Sequence, residues 1–275
     1  MSDPPSPASP TGPAAAFDGA AVPRAALVTG GARRLGRAIA LGLARAGWDI
    51  ALHYGRSADD AAATVREIVA LGRRAIAVQA DLADEAQTAA MFDAAWQGLG
   101  AVGCLVNNAS RFEPDRPETA GYESLLAHAG PNLAAPVLLS RRLHEALGES
   151  RCGVVINLLD QKLDNPNPDF FSYTLTKFGL LGATRMMAMA FAPRLRVAGV
   201  SPGVTLVSGG QTEAGFAQSH TMTPLGRSST PEDIVRAVVF LADARAITGV
   251  NLLVDGGQHL LPLPRDVMYL TGTTT

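Results

Sequence analysis

Ala25-Ala26-Leu27-Val28-Thr29-Gly30-Gly31-Ala32-Arg33-Arg34-Leu35-Gly36 decides the fold of this chain. Four apolar residues run unbroken into a glycine-rich turn, and Arg34–Ala46 then reads as a helix ended by Gly47. An unbroken apolar strand is one buried on both faces, as in a parallel sheet. Gly30 permits the tight turn, and Gly36 lets helix and strand pack closely. Backbone N–H groups at the helix start can then cradle a pyrophosphate. Alone, such a turn is weak support for a nucleotide site, so its surroundings have to carry the reading.

The surroundings repeat the pattern. Strands are expected at Asp49–Tyr54, Ala75–Gln79, Cys104–Asn107, Gly153–Leu158, Leu195–Val200 and Asn251–Val254. Helices are expected at Ala58–Leu71, Glu85–Gln97, Pro131–Leu147, Phe170–Ala192 and Pro231–Leu241, the last with proline in its first turn. Alternating strands and helices imply an α/β fold with a single doubly wound parallel sheet of Rossmann type, helices on both faces. Arg111–Tyr122 and Thr205–Thr230 are less regular, and loops at the carboxyl ends of strands carry ligand contacts in such folds. Residues 1–23, with Pro4, Pro5, Pro7, Pro10 and Pro13, read as a disordered segment before one domain over 24–275.

Composition removes several classes of function. The 275 residues are 47% hydrophobic and 17% charged with a net charge of −2, so no basic field argues for nucleic acid or an anionic membrane. No apolar run reaches the roughly 18 residues of a membrane helix. Two cysteines, Cys104 and Cys152, sit in apolar runs and suit a reducing cytoplasm, and five scattered histidines lack ligand spacing, so no metal is expected. The N-terminus lacks the basic start and apolar centre of a secretion signal.

The end of the second strand separates the nicotinamide cofactors. It reads His53-Tyr54-Gly55-Arg56-Ser57, with no acid before Asp59 to hold a ribose 2′-hydroxyl. Arg56 and Ser57 can instead bind a 2′-phosphate, and Arg33 in the adjacent loop can add charge, so NADP(H) is expected. A solvated turn is the bland alternative. Asp81-Leu82 can meet the adenine or cap a helix. Asn107-Asn108-Ala109 ends the fourth strand, where side-chain amides can bridge the cofactor to neighbouring strands, and Ser201-Pro202-Gly203 ends the sixth, where the nicotinamide is expected.

Chemistry comes from Phe171-Ser172-Tyr173-Thr174-Leu175-Thr176-Lys177. A Tyr and a Lys four apart share a helix face, and the ammonium is expected to favour the phenolate and lower the tyrosine pKa. Asp160 stands upstream, where a plain strand-end cap is its bland reading.

Together Gly30…Gly36, Asn107-Asn108-Ala109, Asn132, Tyr173…Lys177, Ser201-Pro202-Gly203 and Val254-Asp255-Gly256-Gly257 resemble the short-chain dehydrogenase/reductase family over residues 25–258. The resemblance implies that Tyr173 is the general acid. It also implies that Lys177 binds the nicotinamide ribose and that Asn132 holds a water in a relay to Lys177. Two departures from the usual pattern, Arg34 for a glycine and Asp160 for a serine, resemble pteridine reductases and bacterial dihydromonapterin reductases, as does Asn107-Asn108-Ala109-Ser110-Arg111-Phe112. The implied catalytic set is Tyr173, Lys177, Asp160 and Asn132. The implied cofactor set is Gly30, Arg33, Arg34, Leu35, Gly36, His53, Tyr54, Arg56, Ser57, Asp81, Leu82, Asn108, Ala109, Ser110, Tyr173, Lys177, Pro202 and Gly203. Arg34, Phe112, Asp160 and Tyr173 would bind substrate.

The expected function is therefore NADPH-dependent reduction of a dihydropterin to its tetrahydro form, with Phe112 as one face of a sandwich and Asp160 in the proton relay. Alternatives are a short-chain reductase or dehydrogenase of another small molecule, or a non-catalytic NADP-binding regulator. The family implies a homotetramer. The tail His259–Thr275 could cover a neighbouring subunit or its own active site, and Met222 and Leu225 are candidates for the pocket wall.

Overall fold

The computed structural model describes residues 21–208 and 210–271. Seven strands form one parallel sheet in the order β3-β2-β1-β4-β5-β6-β7. They are β1 (Ala25–Val28), β2 (Asp49–Tyr54), β3 (Ala75–Gln79), β4 (Cys104–Asn107), β5 (Gly153–Leu158), β6 (Leu195–Pro202) and β7 (Asn251–Val254). The order reverses between β1 and β4, and a doubly wound sheet opens its ligand crevice at such a reversal.

Period-two alternation along the strands builds a core on each face. Ala26 and Val28 pack with Ile39, Leu43 and Ile68 of α1 (Arg34–Arg45) and α2 (Ala58–Ala70), and with Ile234 and Val238 of α8 (Pro231–Asp243). Ala25 and Leu27 turn the other way, onto Phe92 of α3 (Glu85–Leu99), Leu139 and Leu143 of α5 (Ala135–Leu147), and Met187 of α6 (Phe171–Ala190). Leu27 is fully buried. Truncating it to alanine would cost about 2–5 kcal/mol.

Caps set several helix ends. Asp84 accepts from Gln87 N at the start of α3, and Thr230 and Asp233 form a reciprocal capping box at the start of α8. Gly100, at φ 79°, stops α3 in a conformation that costs glycine little.

Two helices are not among those expected: α4 (Tyr122–Ala129), which begins where the irregular stretch Arg111–Tyr122 ends, and α7 (Glu213–Thr221), inside the irregular stretch Thr205–Thr230. The helix expected at Pro131–Leu147 begins instead as a π turn, Gly130–Ala134, that joins α4 to α5. The N-terminal segment expected to be disordered lies outside the described residues except for Ala21–Pro23. Of these, Ala21 makes a parallel bridge to Arg151. Among the described residues no helix is long and apolar enough to cross a membrane, and no cluster of His, Cys, Asp or Glu could hold a metal.

Candidate active site

β5 ends at Leu158, and two residues on, Asp160 caps a single 3-10 turn, Gln161–Leu163. The Lys162 N–H donates to Asp160 Oδ1 at 2.9 Å, which leaves Oδ2 to accept from the Tyr173 hydroxyl at 2.7 Å. Tyr173 and Lys177 lie one turn apart on the buried face of α6. Lys177 Nζ donates to Leu158 O at 2.6 Å and lies 5.4 Å from the Tyr173 ring centroid.

Burial dominates the electrostatics. It raises the Asp160 carboxyl pKa against the pull of the Lys162 N–H and the Tyr173 hydroxyl. It also lowers Lys177 to about 8. Tyr173 is pushed well above its ordinary value by burial and then by the Asp160 charge. That corrects the expectation that Lys177 draws the tyrosine toward phenolate: the nearer partner is a carboxylate, and it holds the proton on the phenol.

Asn132 sits in the π turn, a distortion that places side chains at functional sites in many helices. Its Oδ1 accepts from Arg111 N at 2.8 Å and Ser110 Oγ at 3.2 Å. Its Nδ2 donates to Arg111 O at 2.9 Å and Thr176 Oγ1 at 3.1 Å. Two acceptor and two donor positions exhaust a carboxamide. Asn132 therefore ties the Ser110-Arg111 loop to α6, and its side-chain carboxamide has no position left over for the water relay implied by sequence.

A cavity of about 340 Å³ opens here, lined by Arg34, Phe112, Asp160, Tyr173, Lys177 and Gly203 among others. It collects all four residues expected to meet substrate. Phe112 stacks on Phe170 (centroids 4.0 Å apart, planes 15° apart) and meets Tyr173 edge-on at 4.7 Å. One face of Phe112 is thus already covered by protein. Arg34, at φ 52°, turns its guanidinium to Val207 O at 2.6 Å and bridges the cofactor loop to the loop after β6.

At the cofactor end, Gly30 adopts φ 63°, and a Cβ on Gly36 would lie 2.0 Å from Gly30 O, so alanine does not fit there. No side chain caps α1 and no acid occupies its first turn. Its first N–H groups, with exposed Arg33 and Arg56 nearby, suit an anion. Arg33 lies 3.6 Å from Asp60, whereas Arg56 makes no ion pair among the described residues. The site therefore fits a dinucleotide carrying an extra phosphate.

Other residues of the expected cofactor set serve the loop itself. Asn108 Nδ2 donates to Thr29 O at 2.9 Å, and Asn108 N and Ala109 N donate to Thr29 Oγ1. His53 is spent inside the protein: Nδ1 accepts from Gly30 N at 3.0 Å and Nε2 lies 3.1 Å from Ala80 O. It shapes the turn and has no ring nitrogen left for a 2′-phosphate. Asp81 accepts from Ala83 N across its own turn, and Leu82 is core. Leu35, Ser110, Pro202 and Gly203 line the cavity, Tyr54 closes β2, and Ser57 flanks α2.

Sequence reading missed Lys162 and Phe170 and left the course of the tail open between its own active site and a neighbouring subunit. Leu263, Asp266, Val267 and Met268 fold back over the chain's own cavity. Asp169, buried, accepts from Arg116 and from Arg265, both far away along the chain. Residues Val204–Leu206, Ser208 and Gln211 supply the wall that Met222 and Leu225 were expected to form. No local motif marks these contacts, because each joins segments distant in sequence.

The fold and site define a nucleotide-binding α/β oxidoreductase. A family model described as enoyl-(acyl carrier protein) reductase, from the short-chain dehydrogenase/reductases, matches residues 30–259. The chain belongs to the short-chain dehydrogenase/reductase family. It is 33% identical to pteridine reductase 1 of Leishmania tarentolae, over 86% of this chain and 96% of that one. It is 32% identical to the 3-oxoacyl-[acyl-carrier-protein] reductase FabG of Staphylococcus aureus, over 86% of this chain and 98% of that one. Among solved structures, FolM alternative dihydrofolate reductase 1 of Brucella suis, in complex with NADP, matches with a TM-score of 0.83. Its identity is 40%, over 86% of this chain and 95% of that one.

Proposed function

We propose that this enzyme reduces a dihydropterin, of the dihydromonapterin or dihydrobiopterin kind, to the tetrahydropterin with NADPH. The observation that carries the reading is the buried Asp160 carboxylate on the Tyr173 hydroxyl, beside Phe112 and Arg34 in one cavity. Likeness to a pteridine reductase and to NADP-bound FolM supports both the substrate class and the cofactor.

Bound NADPH would supply the hydride. The protein's part is the proton. Tyr173 Oη gives its proton to the pterin ring nitrogen as the neighbouring carbon is reduced. A protonated Asp160 reverses the hydrogen bond and donates from Oδ2 to Tyr173 Oη, so no phenolate builds up. Lys177 spends one donor on Leu158 O and keeps two for ribose hydroxyls. The uncovered side of Phe112 and the planar fork of Arg34 suit a flat ring edged with donors and acceptors. Arg33, Arg56 and Ser57 would hold the phosphates.

The family model's description and the FabG relatives favour a second reading, reduction of a ketone. Asp160 speaks against it, because it has no donor to spare for a carbonyl oxygen: ionised it has none, and protonated it spends its one proton on Tyr173. NADPH oxidation by purified protein, comparing dihydrobiopterin and dihydromonapterin with a panel of ketones, separates the two. Pterin turnover upholds the first, and ketone turnover alone refutes it.

The proposed assembly is a homotetramer, supported by exposed Leu175, Phe178, Met186 and Met189 along α6 and Tyr122 and Leu126 on α4. The proposed compartment is the cytoplasm, where the buried Cys104 and Cys152 stay reduced.

A further inference from the structure

Lys162 has a buried ammonium in the wall of the active-site cavity, and none of the chemistry above uses it. Its Nζ donates to Asn167 Oδ1 at 2.8 Å, Asp169 O at 3.0 Å and Asp266 Oδ2 at 2.9 Å. Three donors meet three acceptors, so none remains for a substrate. Lys162 is therefore not a catalytic residue, although its own N–H clamps Asp160 Oδ1.

Asp266 is fixed as tightly. Its Oδ1 accepts from Met268 N at 3.1 Å, and its N–H donates to Asp169 Oδ2 at 2.8 Å. Asp169 in turn holds Arg116 at 2.9 Å and Arg265 at 2.7 Å. The Lys162–Asp266 pair is thus, among the described residues, the one charged contact between the turn that presents Asp160 and the tail that supplies Leu263, Val267 and Met268 to the cavity. An ammonium removed from water is tolerable only with such a partner, and removing the partner leaves the charge uncompensated.

We infer that Lys162 and Asp266 are positioning residues that lock residues 263–268 of the tail as a wall of the enzyme's own substrate cavity, and so set substrate affinity and selectivity. The pair acts on the substrate side of the cavity. Arg34 and Leu35, at the start of α1, line the same cavity, but neither Lys162 nor Asp266 bonds to them.

This inference rests on the proposed pterin reduction only for the choice of substrate, so the test has an arm that needs none. In full-length NADPH-bound protein, D266N should speed amide hydrogen exchange across residues 263–270 about tenfold or more and leave exchange in β1 and α1 unchanged. In turnover, D266N should raise KM for the pterin about tenfold or more, with KM for NADPH and kcat each within about threefold. K162M, which keeps the side chain's apolar stem, carries the same expectation if D266N folds poorly. In the K162M/D266N double variant the two losses should not add, because both break one contact. Unchanged exchange in the tail would overturn the inference, and so would equal rises in KM for substrate and cofactor. If the wild type turns over no pterin, the proposed function fails, and the exchange arm still decides for or against the clasp.

Discussion

The Tyr173 hydroxyl donates to Asp160 Oδ2 at 2.7 Å, while the Lys162 N–H fixes the other carboxylate oxygen at 2.9 Å. One oxygen is structural and the other is free to exchange a proton with the phenol. Asp160→Ser should therefore lower kcat for pterin reduction about 100-fold or more, the scale of a general acid–base contribution, with NADPH affinity unchanged. Steady-state kinetics with cofactor titration checks this. Unchanged pterin turnover would show that the carboxylate only caps its turn. Tyr173→Phe should lose at least as much.

The basis of Tyr173–Asp160 was legible from sequence, because both residues sit beside elements with strong local signals. β2, β3, β4, β5 and β7 have the bounds that their apolar runs predict. Helix α7 did not show, since Glu213-Ala-Gly-Phe-Ala-Gln-Ser-His-Thr221 mixes Gly, Ser and Thr with no apolar stripe. Lys162 could not be found at all, because its carboxylate partner lies 104 residues along the chain. The direction of the Tyr173 shift was misread for a related reason: spacing places Lys177 on the same face but says nothing of burial.

Lys177 gives a pH prediction with a definite sign. Burial lowers its pKa to about 8, so the ammonium that would bind ribose is present below that pH and lost above it. The rate kcat/KM for NADPH should fall on an alkaline limb near pH 8. Stability moves the other way. From about 8 up to the ordinary 10.5, the unfolded chain binds a proton that the folded chain has released, so Lys177 makes the fold more stable as pH rises. Lys177→Met should be inactive, yet melt at or above the wild-type Tm at pH 7, with the difference shrinking toward pH 10. A Lys177→Met Tm well below wild type at pH 7 would contradict the burial penalty.

Arg56 is exposed and without an ion-pair partner among the described residues, two residues past the end of β2, the strand that pairs with β1. Arg56→Ala should weaken NADPH binding about 10- to 100-fold, the worth of a charge-assisted hydrogen bond, and barely affect NADH. Fluorescence titration with both cofactors measures the ratio. Equal losses for the two would rule out a 2′-phosphate contact.

His53 holds Gly30 N and Ala80 O together from inside the sheet, and its burial lowers its pKa so that the ring stays neutral. With Nδ1 accepting, Nε2 carries the proton, so protonating Nδ1 would break the contact to Gly30. His53→Ala leaves two buried backbone groups without partners, at about 1–3 kcal/mol each. Its Tm should fall by several degrees, and NADPH affinity should fall with it, because the phosphate turn loses its support. Calorimetry on the same samples used for cofactor titration tests both. If Tm falls while NADPH affinity is unchanged, His53 supports the sheet without shaping the cofactor loop.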